Sequence, residues 1–286
     1  MNRWITGARP RTLPAAVVPV AVGAAAAVGE PADIVWWRVI AALVVSVALQ
    51  VGVNYANDYS DGVRGTDDVR VGPTRLVAGG LASPSSVKRA ALTAFTVAAV
   101  CGLAIALSTS LWLLVVGAAA IAAGWFYTGG PRPYGYMGLG EVFVFVFFGL
   151  VATAGTTYAA IETVTALSLV MGAAVGSLAC ALLVVNNLRD IPTDREVGKR
   201  TLAVRLGDHR TRWFYVALIG GAFVLCAVAA IWQVPVVIAL LALPLAIAPV
   251  RSVLGGAMGP ALIPVLGATG KLQLAWGLLV AVGLAL

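Results

Sequence analysis

Asn54-Tyr-Ala-Asn-Asp58-Tyr-Ser-Asp61 and Asn186-Asn-Leu-Arg-Asp190-Ile-Pro-Thr-Asp194 interrupt a chain that is otherwise apolar. Each segment closes a hydrophobic run of membrane length. Each carries two carboxylates at helical spacing, with an Asn four residues before the first, and each is followed by a basic, glycine-containing stretch. Paired carboxylates beside Lys and Arg at a membrane edge are what a Mg²⁺-dependent diphosphate site requires, because Mg²⁺ commonly joins one or two carboxylates to substrate phosphates.

The runs around these segments set the fold class. The chain is 60% hydrophobic and 11% charged, with a mean hydropathy of +0.96, whereas a soluble domain carries about 25% charged residues. A soluble core cannot hide this much apolar surface, so the solvent is lipid. The apolar residues run on for roughly 18–22 positions without alternating, which argues against a β-barrel and for helices, which satisfy their own backbone in lipid. The predicted fold is all-α, a polytopic membrane protein of about nine transmembrane helices. They fall at 11–29, 34–56, 87–107, 111–128, 139–159, 164–187, 213–232, 235–250 and 268–285, within one membrane-embedded domain over 1–286. The eighth run is short and holds Pro235, Pro244 and Pro249, and Gly255–Leu266 reads as a re-entrant or interfacial piece. Met1–Arg11 holds three Arg, but Pro10, Pro14 and Pro19 interrupt the run and no clear cleavage site follows, so the first run reads as a retained helix rather than a signal peptide. Cys101, Cys180 and Cys226 lie inside apolar runs, where they act as small hydrophobes.

Charge sets the orientation. With the N-terminus inside, only Arg38 of the 19 Lys and Arg residues falls on the outer side, a strong positive-inside pattern. The N-terminus and both polar loops are then cytoplasmic, in the cell membrane, and a ninth helix leaves the C-terminus extracytoplasmic. Four crossings separate the two Asp segments, and an even number returns the chain to the same face, so the segments can meet. Each follows the second helix of a four-helix block, which suggests two four-helix repeats plus one helix. The net charge of +7 suits a face against membrane lipids. No basic stretch lies outside the loops, so nothing indicates nucleic acid as a partner.

Asn54, Asp58 and Asp61 share one helical stripe if the helix continues to Asp61. Asn186 and Asp190 repeat the i, i+4 spacing, but Pro192 predicts that the helix ends or kinks, leaving Asp194 in the first turn of a new short helix. The candidate Mg²⁺ ligands are Asp58, Asp61, Asp190 and Asp194. Arg64, Arg75, Arg189, Lys199 and Arg200 lie nearest them in sequence and are candidates for holding diphosphate oxygens, against the plainer reading that they set topology and meet head groups. That plainer reading is assigned to Arg70, Lys88, Arg89, Arg210 and Arg212. Asp67, Asp68, Glu196 and Asp208 read as solvated loop charges, and His209, the only histidine, as a surface residue. Glu141 is either an interfacial carboxylate or a substrate contact. Tyr127, Tyr134 and Tyr136 read by default as an interfacial aromatic belt, with stacking on an acceptor ring as the other reading. No Walker A loop, GxSxG elbow, HExxH helix or haem-attachment Cys pair occurs.

The Asp segments and the nine-run layout resemble the UbiA superfamily of membrane prenyltransferases. Asn57-Asp58-Tyr-Ser-Asp61 is similar to its N-D-x-x-D motif, and Asp190 to Asp194 to its D-x-x-x-D motif. Gly65 stands where many members carry a third Asp, with Asp67 and Asp68 close by. Gly72-Pro-Thr-Arg75, Asn186-Asn-Leu-Arg-Asp190 and the run from Gly198 to Gly207 look like the members that prenylate 1,4-dihydroxy-2-naphthoate. The resemblance implies a polyprenyl diphosphate donor, that acceptor, a Mg²⁺ cofactor, and release of diphosphate and CO₂ to give demethylmenaquinone. It implies that Asp58, Asp61, Asp190, Asp194 and Lys199 are catalytic, and that Asn54, Asn57, Arg64, Arg75, Asn186, Arg189 and Arg200 bind substrate. The residues alone leave other acceptors open: 4-hydroxybenzoate, homogentisate or haem. A small-solute transporter also fits nine spans and a repeat, though no charged residue lies near a predicted midplane. A CDP-alcohol phosphotransferase would need an Ala-Arg pair that Asp61-Gly-Val-Arg-Gly-Thr66 lacks.

Overall fold

The computed structural model describes residues 2–66 and 75–286, and among them the chain is helical with no strand. The α-helices are α1 (Arg3–Ala8), α2 (Pro14–Ala25), α3 (Trp36–Arg64), α4 (Pro84–Ser108), α5 (Trp112–Phe126), α6 (Gly140–Val144), α7 (Ala152–Ile161), α8 (Ala166–Glu196), α9 (Leu202–Ala229), α10 (Leu243–Leu254) and α11 (Ile263–Ala285). A π-helical segment, Phe145–Val151, joins α6 to α7, and 3₁₀ turns at Val234–Ala242 and Gly259–Leu262 lead into α10 and α11. Counted as continuous elements, seven helices among the described residues are long and apolar enough to cross a membrane, so the chain is a multi-pass membrane protein. The other two runs expected from sequence form shorter apolar helices, Pro14–Ala25 and Trp112–Phe126. The stretch expected to be re-entrant becomes the opening of the last span, Gly259–Ala285.

Helix α8 is the central pillar: 72% of its apolar window is buried, against 28–44% in the other spans. The outer helices turn large apolar side chains outward, among them Ile40, Val100, Leu107 and Leu241, as contact with lipid tails demands. The halves correspond. The helix carrying each Asp segment, α3 or α8, packs most extensively on the helix that follows it, and α2 touches α3, α7, α8 and α11, tying the halves together. At the opposite end of α3 from the Asp segment, Arg38 bonds Glu162 Oε1 at 2.7 Å and the Ser108 carbonyl at 2.6 Å, pinning α3 to the ends of α7 and α4.

Backbones meet where the π-helical segment crosses α8. A Cβ on Gly149 would lie 2.6 Å from Gly176 Cα and 2.7 Å from the Gly172 carbonyl oxygen. Small residues permit such a crossing, in which van der Waals contact rather than the hydrophobic effect holds helices together. Gly149→Ala must push backbone against backbone. It should destabilise the protein by about 1–3 kcal/mol, read as a lower unfolding midpoint in detergent, whereas Gly220→Ala, with open space around the Cβ position, should not.

Two sequence expectations change here. Helix α8 runs through Pro192 to Glu196, so Asp190 and Asp194 share one helix at i, i+4. The Pro192 ring is on the exposed side, four residues from the helix end. Arg212 does not reach for head groups. It is buried, forks onto Asp208 with contacts of 2.6 and 2.7 Å, and donates to the carbonyls of Val253 and Ala257, tying α9 to the end of α10. The guanidinium also holds the Asp208 carboxylate. Arg212→Ala would strand two carbonyls in a dry joint and should cost on the order of 2 kcal/mol. Thermal unfolding of the purified variant measures this directly.

Candidate active site

The two Asp segments converge on one cavity of about 650 Å³. It follows α3 from Ala42 to Asp61, a length of about 28 Å at 1.5 Å rise per residue. Its polar end is lined by Asn54, Asn57, Asp58, Asp61, Asn186, Asn187, Asp190 and Asp194 with Arg75, Arg189 and Lys199. Away from that end its lining is mostly apolar, including Val45, Leu49, Phe143, Phe147 and Leu183.

Helix α3 continues past Asp61 and ends at Arg64, stopped by Gly65 in the left-handed conformation (φ 73°). Asp58 and Asp61 therefore keep the stripe expected of them. The Asp58 carboxylate accepts the backbone N–H groups of Leu76 and Val77 at 2.9 and 3.0 Å, which anchors the loop after α3. Asp61 Oδ1 accepts the Tyr136 hydroxyl at 2.6 Å, and its Oδ2 lies 3.6 Å from Lys199 Nζ. Burial, and then the Asp61 charge, push the Tyr136 phenol well above its ordinary value, so Tyr136 stays protonated and remains a donor. Lys199 Nζ also sits 4.7 Å from the centre of the Tyr136 ring. Across the cavity, Arg189 forks onto Asp190 at 2.7 and 2.6 Å and donates to Asn186 Oδ1 at 2.9 Å. Thr201 donates to Asp194 Oδ2 at 3.5 Å.

Among the described residues, no three acidic, His or Cys side chains converge to cage a metal ion. Four carboxylates from two helix ends line the cavity instead. That donor set fits a hard cation that takes one or two carboxylates and completes its shell with phosphate oxygens.

Most of the residues singled out from sequence are gathered here: all four Asp, Asn54, Asn57, Asn186, Arg75, Arg189 and Lys199. Arg64 and Arg200 are not. Arg64 donates to the carbonyls of Thr128 and Gly130 and stacks on Tyr136, while Arg200 is exposed beyond the buried Lys199. Asn54 lines the cavity, but its Nδ2 donates to the Ala8 carbonyl at 2.9 Å and to Thr12 Oγ1 at 3.1 Å. Asn57 accepts the Thr128 hydroxyl at 2.8 Å. Asp67, Asp68 and Arg70, and Gly72 to Thr74 of the motif ending at Arg75, lie outside the described residues.

Other residues at the site were given a different default reading or were passed over in the sequence. Tyr127, Tyr134 and Tyr136 line the cavity rather than forming an interfacial belt. Their signal was present: they follow the fourth run on the same face as the Asp segments. Glu141 is buried behind Asn187, whose Nδ2 donates to Glu141 Oε1 at 3.0 Å. The N-terminal residues Thr6 to Thr12 form another wall, including Arg9 and Arg11, and nothing in their local sequence marks them.

A membrane-embedded helical chamber with carboxylate pairs at one end and apolar walls at the other has its counterpart among known families. The UbiA prenyltransferase family model matches residues 16–256, and the chain belongs to that family. It is 53% identical over 283 residues to the 1,4-dihydroxy-2-naphthoate octaprenyltransferase of Mycobacterium tuberculosis, covering 99% of this chain and 97% of that protein. It is 35% identical to the enzyme of the same name from Escherichia coli, covering 98% and 94%. The fold is shared with the apo structure of a UbiA homologue from Aeropyrum pernix (TM-score 0.72, 15% identity, 99% and 98% coverage). It is also shared with a UbiA homologue from Archaeoglobus fulgidus bound to DMAPP and Mg²⁺ (TM-score 0.62, 16% identity, 98% and 100% coverage).

Proposed function

We propose that this protein transfers a polyprenyl group from polyprenyl diphosphate to 1,4-dihydroxy-2-naphthoate, releasing diphosphate and CO₂, on the cytoplasmic side of the cell membrane. The observation that carries this reading is the meeting of Asp58 and Asp61 with Asp190 and Asp194 in a single cavity whose far walls are apolar. The full-length likeness to enzymes named for that acceptor supports the choice of aromatic substrate.

Mg²⁺ bound by Asp58, Asp61, Asp190 and Asp194 would neutralise the diphosphate and make it a better leaving group. The chain's own residues supply the rest. Lys199 and Arg75, on the cavity wall, are placed to hold diphosphate oxygens as charge builds on them. Tyr136 fixes the Asp61 carboxylate through its hydroxyl. When the C–O bond breaks, its electron pair leaves with diphosphate and an allylic cation remains. Phe143, Phe147 and Leu183 keep water from that cation. A ring carbon of the acceptor supplies the pair for the new C–C bond, and the carboxylate leaves as CO₂, returning its bonding pair to the ring. At about 0.8 kcal/mol per buried CH₂ the tail stays in lipid, so a chamber within the membrane is where the enzyme must meet it.

The test is turnover of labelled polyprenyl diphosphate by purified protein against 1,4-dihydroxy-2-naphthoate, 4-hydroxybenzoate and homogentisate. The expected result is a prenylated product and released CO₂ with the naphthoate alone. Product from either other acid, with none from the naphthoate, would overturn the assignment.

A further inference from the structure

One helix in the wall of the chamber is barely held there. Only Ala123 and Gly124 of α5 are buried. Leu113, Val116, Gly117 and Ala120 line the cavity, while Trp112, Leu114 and Val115 are exposed. Helix α5 packs on α3 and α4, but its packing on the chain from Phe145 to Ile161 is marginal. Residues of both α5 and α7 line the same cavity, so a seam runs between them. Other parts of the wall are sealed by close approach. A Cβ on Gly23 of α2 would overlap the Thr153 carbonyl of α7, and one on Gly277 of α11 would overlap Val18 of α2.

The far side of the seam is hollow as well. A second apolar cavity of about 480 Å³ lies at the ends of α5, α7 and α8 remote from the Asp segments, where Trp112, Tyr158 and Leu169 line it. Leu113, Val116, Val151 and Gly155 line both this groove and the chamber, so one layer of side chains divides the two. Gly155 is the gap in that layer. It is half-buried in α7, and a Cβ there would meet open space. Among the described residues none that lines the groove is charged, so its occupant is an apolar chain and not a head group.

Length supplies the reason for an outlet. An extended prenyl chain advances about 5 Å per isoprene unit, from C–C bonds near 1.5 Å. About six units therefore match the chamber's run along α3 from Ala42 to Asp61, about 28 Å, and the diphosphate takes part of that run. A longer tail must leave the chamber, and it gains about 0.8 kcal/mol for each CH₂ that stays in apolar surroundings.

We propose that the seam between α5 and α7 is the outlet of the chamber for a polyprenyl tail, with Gly155 as its threshold and the outer groove holding the distal isoprene units. This rests on the proposed function and adds the residue that sets how long a donor the enzyme accepts.

The test is steady-state kinetics of the full-length protein with geranyl diphosphate, which ends inside the chamber, and octaprenyl diphosphate, which outruns it. Gly155→Phe should lower the ratio of kcat/KM for the long donor to that for the short one by about 10-fold or more, the loss expected when even about two CH₂ groups are kept from an apolar site. Gly220→Phe puts the same side chain on the exposed side of α9 and should leave the ratio unchanged. Leu113→Trp narrows the seam from α5 and should repeat the effect, which preserves the test if Gly155→Phe fails to fold. On wild type, octaprenyl diphosphate carrying a photoreactive group on about its sixth isoprene unit, where the chamber ends, should label Trp112, Tyr158 or Leu169. An unchanged ratio in an active Gly155→Phe or Leu113→Trp enzyme, or label found only elsewhere in the chain or on lipid, would overturn the outlet. Wild type that turns over neither donor would overturn the functional reading and the outlet with it.

Discussion

Asp58→Ala and Asp190→Ala should each reduce prenyl transfer by about 10³-fold or more, at least roughly 4 kcal/mol in the barrier, while the protein stays folded in detergent. The two residues stand on different helices and reach the same cavity, so each removes one side of a shared site. A diphosphate leaving group develops charge that half a carboxylate set cannot offset through its metal. Asp58 also accepts two backbone N–H groups from Leu76 and Val77, so its alanine variant should show a lower unfolding midpoint as well. Asp58→Asn removes the charge while keeping one of the two accepted bonds, since Leu76 and Val77 donate to different carboxylate oxygens and the amide supplies only one. Activity near wild type in Asp58→Asn or Asp190→Ala would sink the shared-site mechanism.

Lys199→Ala should lower kcat/KM for the prenyl diphosphate by about 1.5–3 kcal/mol, the scale of a hydrogen bond to a charged group. Lys199 is buried, its ammonium lies 3.6 Å from Asp61 and 4.7 Å from the Tyr136 ring centre, and it lines the cavity. A cation placed there is pre-oriented by an acid and an aromatic face before substrate arrives. Arg200→Ala is the informative companion, because Arg200 is exposed outside the cavity and its loss should change the same parameter little. Steady-state kinetics at matched protein amounts decide the matter. Equal losses in both variants would show that proximity to Asp194 in sequence, rather than position in the cavity, governs the effect.

The contrast between Lys199 and Arg200 marks where the sequence stopped being informative. Helical spacing places Asp58 and Asp61 on one stripe and Asn186 and Asp190 on another, and apolar run lengths place both stripes at helix ends. These are local properties, so they are legible without coordinates. Which basic neighbour faces the site is not local. Arg64 lies three residues from Asp61, yet the carbonyls of Thr128 and Gly130, more than sixty residues away, take up its guanidinium. Arg9 reads as a topology charge until Asn54, 45 residues on, fixes the corner that carries it. Arg212 shows the same gap in a structural role: its partner Asp208 is one turn away, but the carbonyls that complete its shell, Val253 in α10 and Ala257 just past it, are more than forty residues downstream. Pro192 shows a local rule overridden. Proline breaks helices when the freed carbonyl and the ring clash cannot be accommodated, but near an exposed helix end α8 accommodates both.

The central claim is that both Asp helices must act together, through a divalent metal, to hold one diphosphate. Equilibrium binding of an unreactive prenyl thiolodiphosphate to purified protein, with Mg²⁺ or with EDTA, measures that step without chemistry. The account predicts Mg²⁺-dependent binding to wild type that is lost in Asp61→Asn and equally lost in Asp194→Asn. Binding that persists in EDTA, or that survives in either single variant, would contradict it.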